Sequence, residues 1–172
     1  QAATPLLLLA VQLRHSAQLP DLVRLREQAE LQVRRLEARL REARYPADAV
    51  MTARYMLCAV VDEAVLNAPW GERSGWAQRT LLTAFHGESY GGVKFFVILE
   101  RLLQDPGRHL ELLELLYLCL AMGFAGRYQI EADGNLRLSA IQDDLYRRIC
   151  SQRGAPPDEL SPRWQGEAAR TW

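Results

Sequence analysis

Cysteine is scarce in this 172-residue chain: Cys58, Cys119 and Cys150 are far apart and odd in number. No C-x-x-C pair occurs, and a disulfide framework is excluded as an organising principle. Each thiol lies in an apolar or helical stretch, the setting of a buried free cysteine in a reducing compartment. Charge of one sign is lacking too, with 21 Lys+Arg against 21 Asp+Glu. A surface that reads phosphates normally carries a basic excess, so neutrality argues against nucleic acid as the main partner. No long apolar run is present. The most apolar stretch, Leu115 to Gly126, falls short of the ~20 residues a membrane span needs, and Glu111 and Glu114 precede it by one turn. The opening QAATPLLLLAVQLR has no basic residue before its apolar run and no small-residue cleavage site, so it reads as a first helix rather than a secretory signal. Gly123, Gly126 and Gly134 follow no strand and form no phosphate cradle.

What the chain does have is helix punctuation and apolar residues, 49% of the total, enough to fill a core at this length. Thr4-Pro5 opens a helix to about Ser16, and Pro20-Asp21 opens a second to about Arg44. In the second, Leu22, Leu25, Ala29, Val33, Leu36 and Leu40 recur at three and four residues among Arg and Glu: one buried stripe and one solvated face. Pro46 starts a third helix, which Pro69-Trp70-Gly71 ends. Ser74 is positioned to cap a fourth, about Gly75 to His86, with Gly87 suited to its C-terminal cap. A fifth runs from about Val93 to Gln104, and Asp105-Pro106 opens a sixth to about Gly123. Asp133-Gly134-Asn135 is a turn signal, predicting a small hairpin or irregular loop near 127–138, and a seventh helix follows from about Ser139 to Cys150. The fold class is therefore all-α: about seven helices, antiparallel neighbours, two packed three-helix bundles. Residues 1–150 read as the helical domain and 151–172 as an extended Pro-rich tail.

The third helix holds the unusual residues. MTARYMLCAVVDEAVLNA is apolar nearly all round, the mark of a central helix, yet Asp62 and Glu63 are set into it with Asn67 one turn later. Asp62 shares a line with Tyr55, Cys58 and Leu66; Glu63 shares one with Met56, Ala59 and Asn67. A buried unpaired carboxylate costs several kcal/mol. Three readings follow: internal hydrogen bonding by an Arg or a helix N-terminus, a cleft where the acids meet a basic partner, or a catalytic carboxylate pair.

Other motifs carry less. Gly87-Glu88-Ser89-Tyr90-Gly91 fits G-x-S-x-G, with Asp105 and His109 downstream in hydrolase order. That motif needs a strand feeding a sharp turn, and here a helix precedes it, so a small serine hydrolase using Ser89 is the lesser reading. His86-Gly87-Glu88 and His109-Leu110-Glu111 offer H-x-E without the P-C-x-x-C half of a zinc deaminase. Trp70, Trp76, Phe85, Phe95 and Phe96 read as core.

Taken in order, RYMLCAVVDEAVLNAPWG, then Trp76, Leu81-Leu82, Phe85-His86, Glu88, Gly91-Gly92 and Phe95-Phe96, then Asp105-Pro106, His109-Leu110 and Leu112 to Tyr128, resemble the cytoplasmic domain of the TssL (DotU/IcmH-like) family of type VI secretion. The resemblance covers about residues 4–150. It implies an all-α, hook-like domain that docks proteins and is not an enzyme. It also implies a structural role joining the inner-membrane complex of TssM and TssJ to the baseplate protein TssK. One transmembrane helix would follow the Pro-rich tail and hold the domain on the cytoplasmic side of the bacterial inner membrane; this chain contains no such helix. A homodimer is compatible with the family, as is the DotU role in type IV secretion. Neither the residues nor the resemblance calls for a cofactor or a metal. The family's acidic cleft maps to Asp62 and Glu63. With Asn67 and the glycine-rich link Glu88, Gly91 and Gly92, these are the expected partner-binding residues.

Overall fold

A computed structural model describes residues 2–88 and 91–154. Among them there are seven α-helices and no strand: α1 Thr4–Arg14, α2 Leu22–Glu42, α3 Ala47–Asn67, α4 Leu81–His86, α5 Lys94–Leu102, α6 Leu110–Ala121 and α7 Gly134–Arg153. They divide into two compact units, Ala2–Gly92 and the residues from Val93 onward. No described helix is long and apolar enough to cross a membrane.

In the first unit α1, α2 and α4 all pack on α3. The reason is compositional. Helix α2 offers only one buried line, Leu25, Ala29, Val33 and Leu36, whereas α3 is buried without a break from Tyr55 through Asp62. A helix apolar on every side must be surrounded. Asp21 caps α2, accepting from the Arg24 amide at 3.3 Å. Helix α1 begins one residue earlier than its cap signal implies: Ala3 is the cap residue, and Thr4 is already helical with its hydroxyl buried.

The expected helix from Gly75 to His86 is broken. Single 3-10 turns at Gly71–Ser74 and Trp76–Gln78 come first, and α4 itself starts only at Leu81, capped by the Thr80 hydroxyl rather than by Ser74. Ser74 instead accepts from the Trp76 amide at 3.1 Å within the turn. Gly87 ends α4 with φ 69°, as its place in the sequence predicts.

In the second unit α5 and α7 pack on α6. Phe95 meets Phe124 at 4.2 Å between ring centroids, and Phe96 meets Tyr128 edge-on at 4.8 Å. The Asp105-Pro106 signal makes a turn, Asp105 accepting from the Arg108 amide at 3.4 Å, and α6 starts later than predicted, at Leu110. Of the hairpin or irregular loop expected near 127–138, the hairpin does not form: an irregular link with one 3-10 turn, Gly126–Gln129, leads into α7, which begins at Gly134 instead of Ser139. Gly134 is pressed against the chain: a Cβ there would lie 1.8 Å from the Tyr128 carbonyl oxygen. The glycine thus lets the helix start against the preceding turn and does not form a hairpin corner. Helix α7 also takes Ser151–Arg153 from the expected tail, and residues 155–172 lie outside the described residues.

Candidate functional site

The expected partner-binding residues all belong to the first unit, and the structure separates them into an interior set and a surface set. Asp62 is interior, only 4% exposed. One carboxylate oxygen accepts from the Trp76 indole N–H at 2.7 Å and the Leu81 amide at 2.9 Å, and the other from the Leu82 amide at 3.0 Å. Burial pushes its pKa up; the three donors and the Arg26 charge pull the other way without cancelling that push. The open acidic pair expected here is therefore corrected at Asp62. Its oxygens are engaged by an indole and by the free amides of a helix start, so it cannot receive a partner's cation. The same contacts explain the broken fourth helix. A continuous helix from Gly75 would use the Leu81 and Leu82 amides in its own ladder; starting at Leu81 leaves them free for the carboxylate.

Trp76 is held from the other side by Arg26, whose guanidinium lies 4.3 Å from the ring centroid and also donates to the Arg79 carbonyl. Arg54 secures the far end of α4. Its three nitrogens donate to His86 Nε2 at 3.1 Å, Glu37 at 2.5 Å and the Phe85 carbonyl at 3.2 Å. A guanidinium can only donate, so His86 Nε2 is the acceptor in this contact. Tyr55 stands edge-on to His86 at 5.2 Å and donates its hydroxyl to Glu88 at 2.8 Å. Burial and the Glu88 carboxylate both push the Tyr55 pKa up.

Gly91 and Gly92 are buried, which corrects their assignment as partner surface. A Cβ on Gly91 would lie 2.8 Å from Leu82 Cδ1 and 2.9 Å from Ala59 Cβ. This glycine lets the link after α4 press flat on α3. Ser89 lies outside the described residues; the element leading to it is α4, a helix, and the nucleophile reading has no strand to rest on.

Asn67 and Glu88 remain accessible, and Glu63 only at its rim. The Glu63 side chain is 11% exposed and pairs with Arg14 at 3.2 Å, tying α3 to the end of α1. Asn67 is exposed in the last turn of α3, and Glu88 is half-buried at the start of the link. Ala59, which meets Gly91, shares its helix line with Glu63 and Asn67 at steps of about 6 Å. A polar edge therefore runs from the link through the Arg14–Glu63 pair to Asn67, with Asp62 fastened beneath it. Among the described residues no group of His, Cys, Asp and Glu is gathered to hold a metal ion. The three thiols are free and buried, as their surroundings in the sequence predict.

Sequence reasoning missed Arg14, Arg26, Arg54 and Trp76 as the partners of these groups. Trp76 follows Asp62 by fourteen residues, past the end of α3 and one 3-10 turn, a spacing without periodic signal, and the arginines come from three different helices.

Comparison with known proteins agrees with this architecture. The family described as "Type VI secretion system protein DotU" matches residues 1–172. The crystal structure of TssL from Vibrio cholerae superposes with a TM-score of 0.81 at 34% identity, over 88% of this chain and 94% of that one. The cytoplasmic domain of TssL from Acinetobacter baumannii gives a TM-score of 0.75 at 26% identity, over 83% and 91% of the two chains. No curated protein matches. Whole-length family agreement and the shared helical fold lead to one conclusion: this chain belongs to the DotU (TssL) family of type VI secretion, whose members are structural subunits of the inner-membrane complex.

Proposed function

We propose that this chain is the docking part of its secretion complex, joining the inner-membrane partners TssM and TssJ to the baseplate protein TssK through the polar edge Glu88–Glu63–Asn67. The observation that carries this reading is the division of labour on α3. Asp62, Arg54 and Tyr55 have their polar atoms engaged by the elements around them, and on the adjacent line Glu63 is paired with Arg14 at the rim while Asn67, one turn on, is exposed. A face held so firmly from below presents its groups without further ordering cost, which favours specific docking. The carboxylates of Glu63 and Glu88 suit a partner offering Arg or Lys, and Arg14 can exchange its carboxylate for one on the partner. Membership of a family of structural secretion subunits points the same way.

The test is capture of TssK and of the cytoplasmic region of TssM by Glu63→Lys/Asn67→Lys. At least a tenfold loss is expected, with the helical circular dichroism kept and the melting midpoint lowered only by the loss of the Arg14 pair. Asn67→Lys alone, at an exposed position, guards against misfolding and should weaken capture in the same direction. Capture of both partners at parental strength by the folded double variant would rule this edge out.

A further inference from the structure

The chain is neutral overall, yet its charges are not evenly spread. Between Leu31 and Tyr45 there are five arginines, at 34, 35, 39, 41 and 44, against two acids, Glu37 and Glu42. The excess is three positive charges over that stretch, and two when it is followed through Met51, which adds Asp48. Glu37 accepts from Arg54 and also faces Arg41 at 3.5 Å, and Arg34 reaches Glu30 at 3.9 Å. Arg35, Arg39 and Arg44 are exposed and have no ion pair among the described residues. The turn that closes this segment is exposed without interruption from Arg41 through Asp48. Arg44 adopts a left-handed backbone there, φ 64°, in the turn that hands α2 over to α3. Beside these cations stand two large side chains that the core does not take: Tyr45, 39% exposed, and Met51, 53% exposed.

We infer that the α2–α3 end of the first unit is a membrane-facing foot, binding the headgroups of an anionic bilayer through Arg35, Arg39 and Arg44 and setting Tyr45 and Met51 at headgroup depth. Three arguments favour a lipid surface. Exposed arginines without an ion pair along the last turns of a helix and the turn after it suit a diffuse plane of negative charge, since each one near such a surface adds a similar increment of attraction. Tyrosine with an apolar neighbour at an exposed tip matches the depth profile of a bilayer interface, polar hydroxyl outward and ring inward. The family is one of membrane-complex subunits, so a bilayer is the negative surface always within reach. This foot is separate from the Glu63–Asn67 edge and stands whether or not that edge binds TssK.

Flotation of the intact chain with vesicles decides it. The chain should rise with phosphatidylglycerol vesicles and stay down with phosphatidylcholine vesicles, and added salt should weaken the binding without abolishing it. Arg35→Gln/Arg39→Gln/Arg44→Gln should weaken it by about fivefold for each arginine removed. Tyr45→Ser/Met51→Ser, with charge unchanged, should weaken it further and remove the part that survives salt. All five positions are exposed, so circular dichroism should match the parent. Equal recovery on neutral and anionic vesicles, or parental binding by the triple variant, overturns the proposal. So does retention on immobilised polyglutamate without flotation on phosphatidylglycerol, which would make the occupant an acidic protein.

Discussion

Asp62 carries the largest single burden in the first unit. Three N–H groups from two different elements converge on one buried carboxylate, so any replacement must answer for each of them. In Asp62→Asn the amide oxygen can keep Trp76 and Leu81, but the amide NH2 then faces the Leu82 N–H, donor against donor. One buried donor left unmet costs about 1–3 kcal/mol. Asp62→Ala leaves three unmet and should exceed it. Chemical denaturation should therefore rank the parent above the Asn variant and the Asn variant above the Ala variant. An Asp62→Asn chain as stable as the parent would show that the carboxylate is not a fastener. The consequence for function is practical. A charge-reversing change at Asp62 reports on folding, and docking must be tested at Glu63 and Asn67, whose substitution leaves α4 attached.

At the level of elements, α4 is six residues long and could not persist alone, because a helix so short does not repay its nucleation cost. Its start is held twice. Asp62 takes the Leu81 and Leu82 amides, and the Thr80 hydroxyl takes the Thr83 amide at 3.1 Å. Thr80→Ala should cost about 1 kcal/mol, as for other caps. Combined with Asp62→Asn the two losses should not add, since once one anchor has let the turn fray the other has less to hold. A double-mutant cycle by urea denaturation measures this, and strict additivity would mean that the two anchors act on separate structures. Gly91→Ala tests the neighbouring link. Its backbone needs no special φ, so the cost is steric alone: Leu82 can rotate its terminal methyl away, while Ala59 cannot retreat from a Cβ 2.9 Å off. A loss of about 1–3 kcal/mol is expected from such overpacking.

These same contacts show what was legible in the sequence. Helices α1, α2, α3 and α5 were readable from their apolar stretches and the Pro and Gly signals that bound them, with a side-chain cap as expected only at Asp21 of α2, and the central position of α3 followed from its lack of a polar face. The start of α4 was not readable, because a carboxylate from another helix, distant in sequence, overrides a local Ser cap. The start of α7 was missed for the opposite reason. The alternation around Asp133-Gly134 looks like strand, but Leu136 is 72% exposed, so its apolar character reports nothing about burial. At the site, the special status of Asp62 and Glu63 was plain from two acids in an apolar helix. Their different fates depended on Trp76 and Arg14, partners that no spacing announces.

The whole molecule combines zero net charge with two compact units, each hiding thiols: Cys58 in the first, Cys119 and Cys150 in the second. Thiolate is the reactive form, and burial suppresses it, pushing Cys119 up to about 12 and Cys58 in the same direction. Asp62, one turn along α3, adds to the effect at Cys58 by disfavouring a second negative charge nearby. Access and ionisation thus act together, and a thiol reagent reads the integrity of both cores at once. In native buffer at neutral pH none of the three cysteines should react with a disulfide-exchange reagent within minutes. In guanidinium chloride all three should react promptly, which intact-mass measurement counts directly. Asp62→Ala should hasten modification of Cys58 more than that of Cys119, because the anchor it removes belongs to the first unit. Equal acceleration at both thiols would show that losing Asp62 opens the whole chain, and a native chain already modified at Cys58 would mean that α3 is not enclosed as its burial describes.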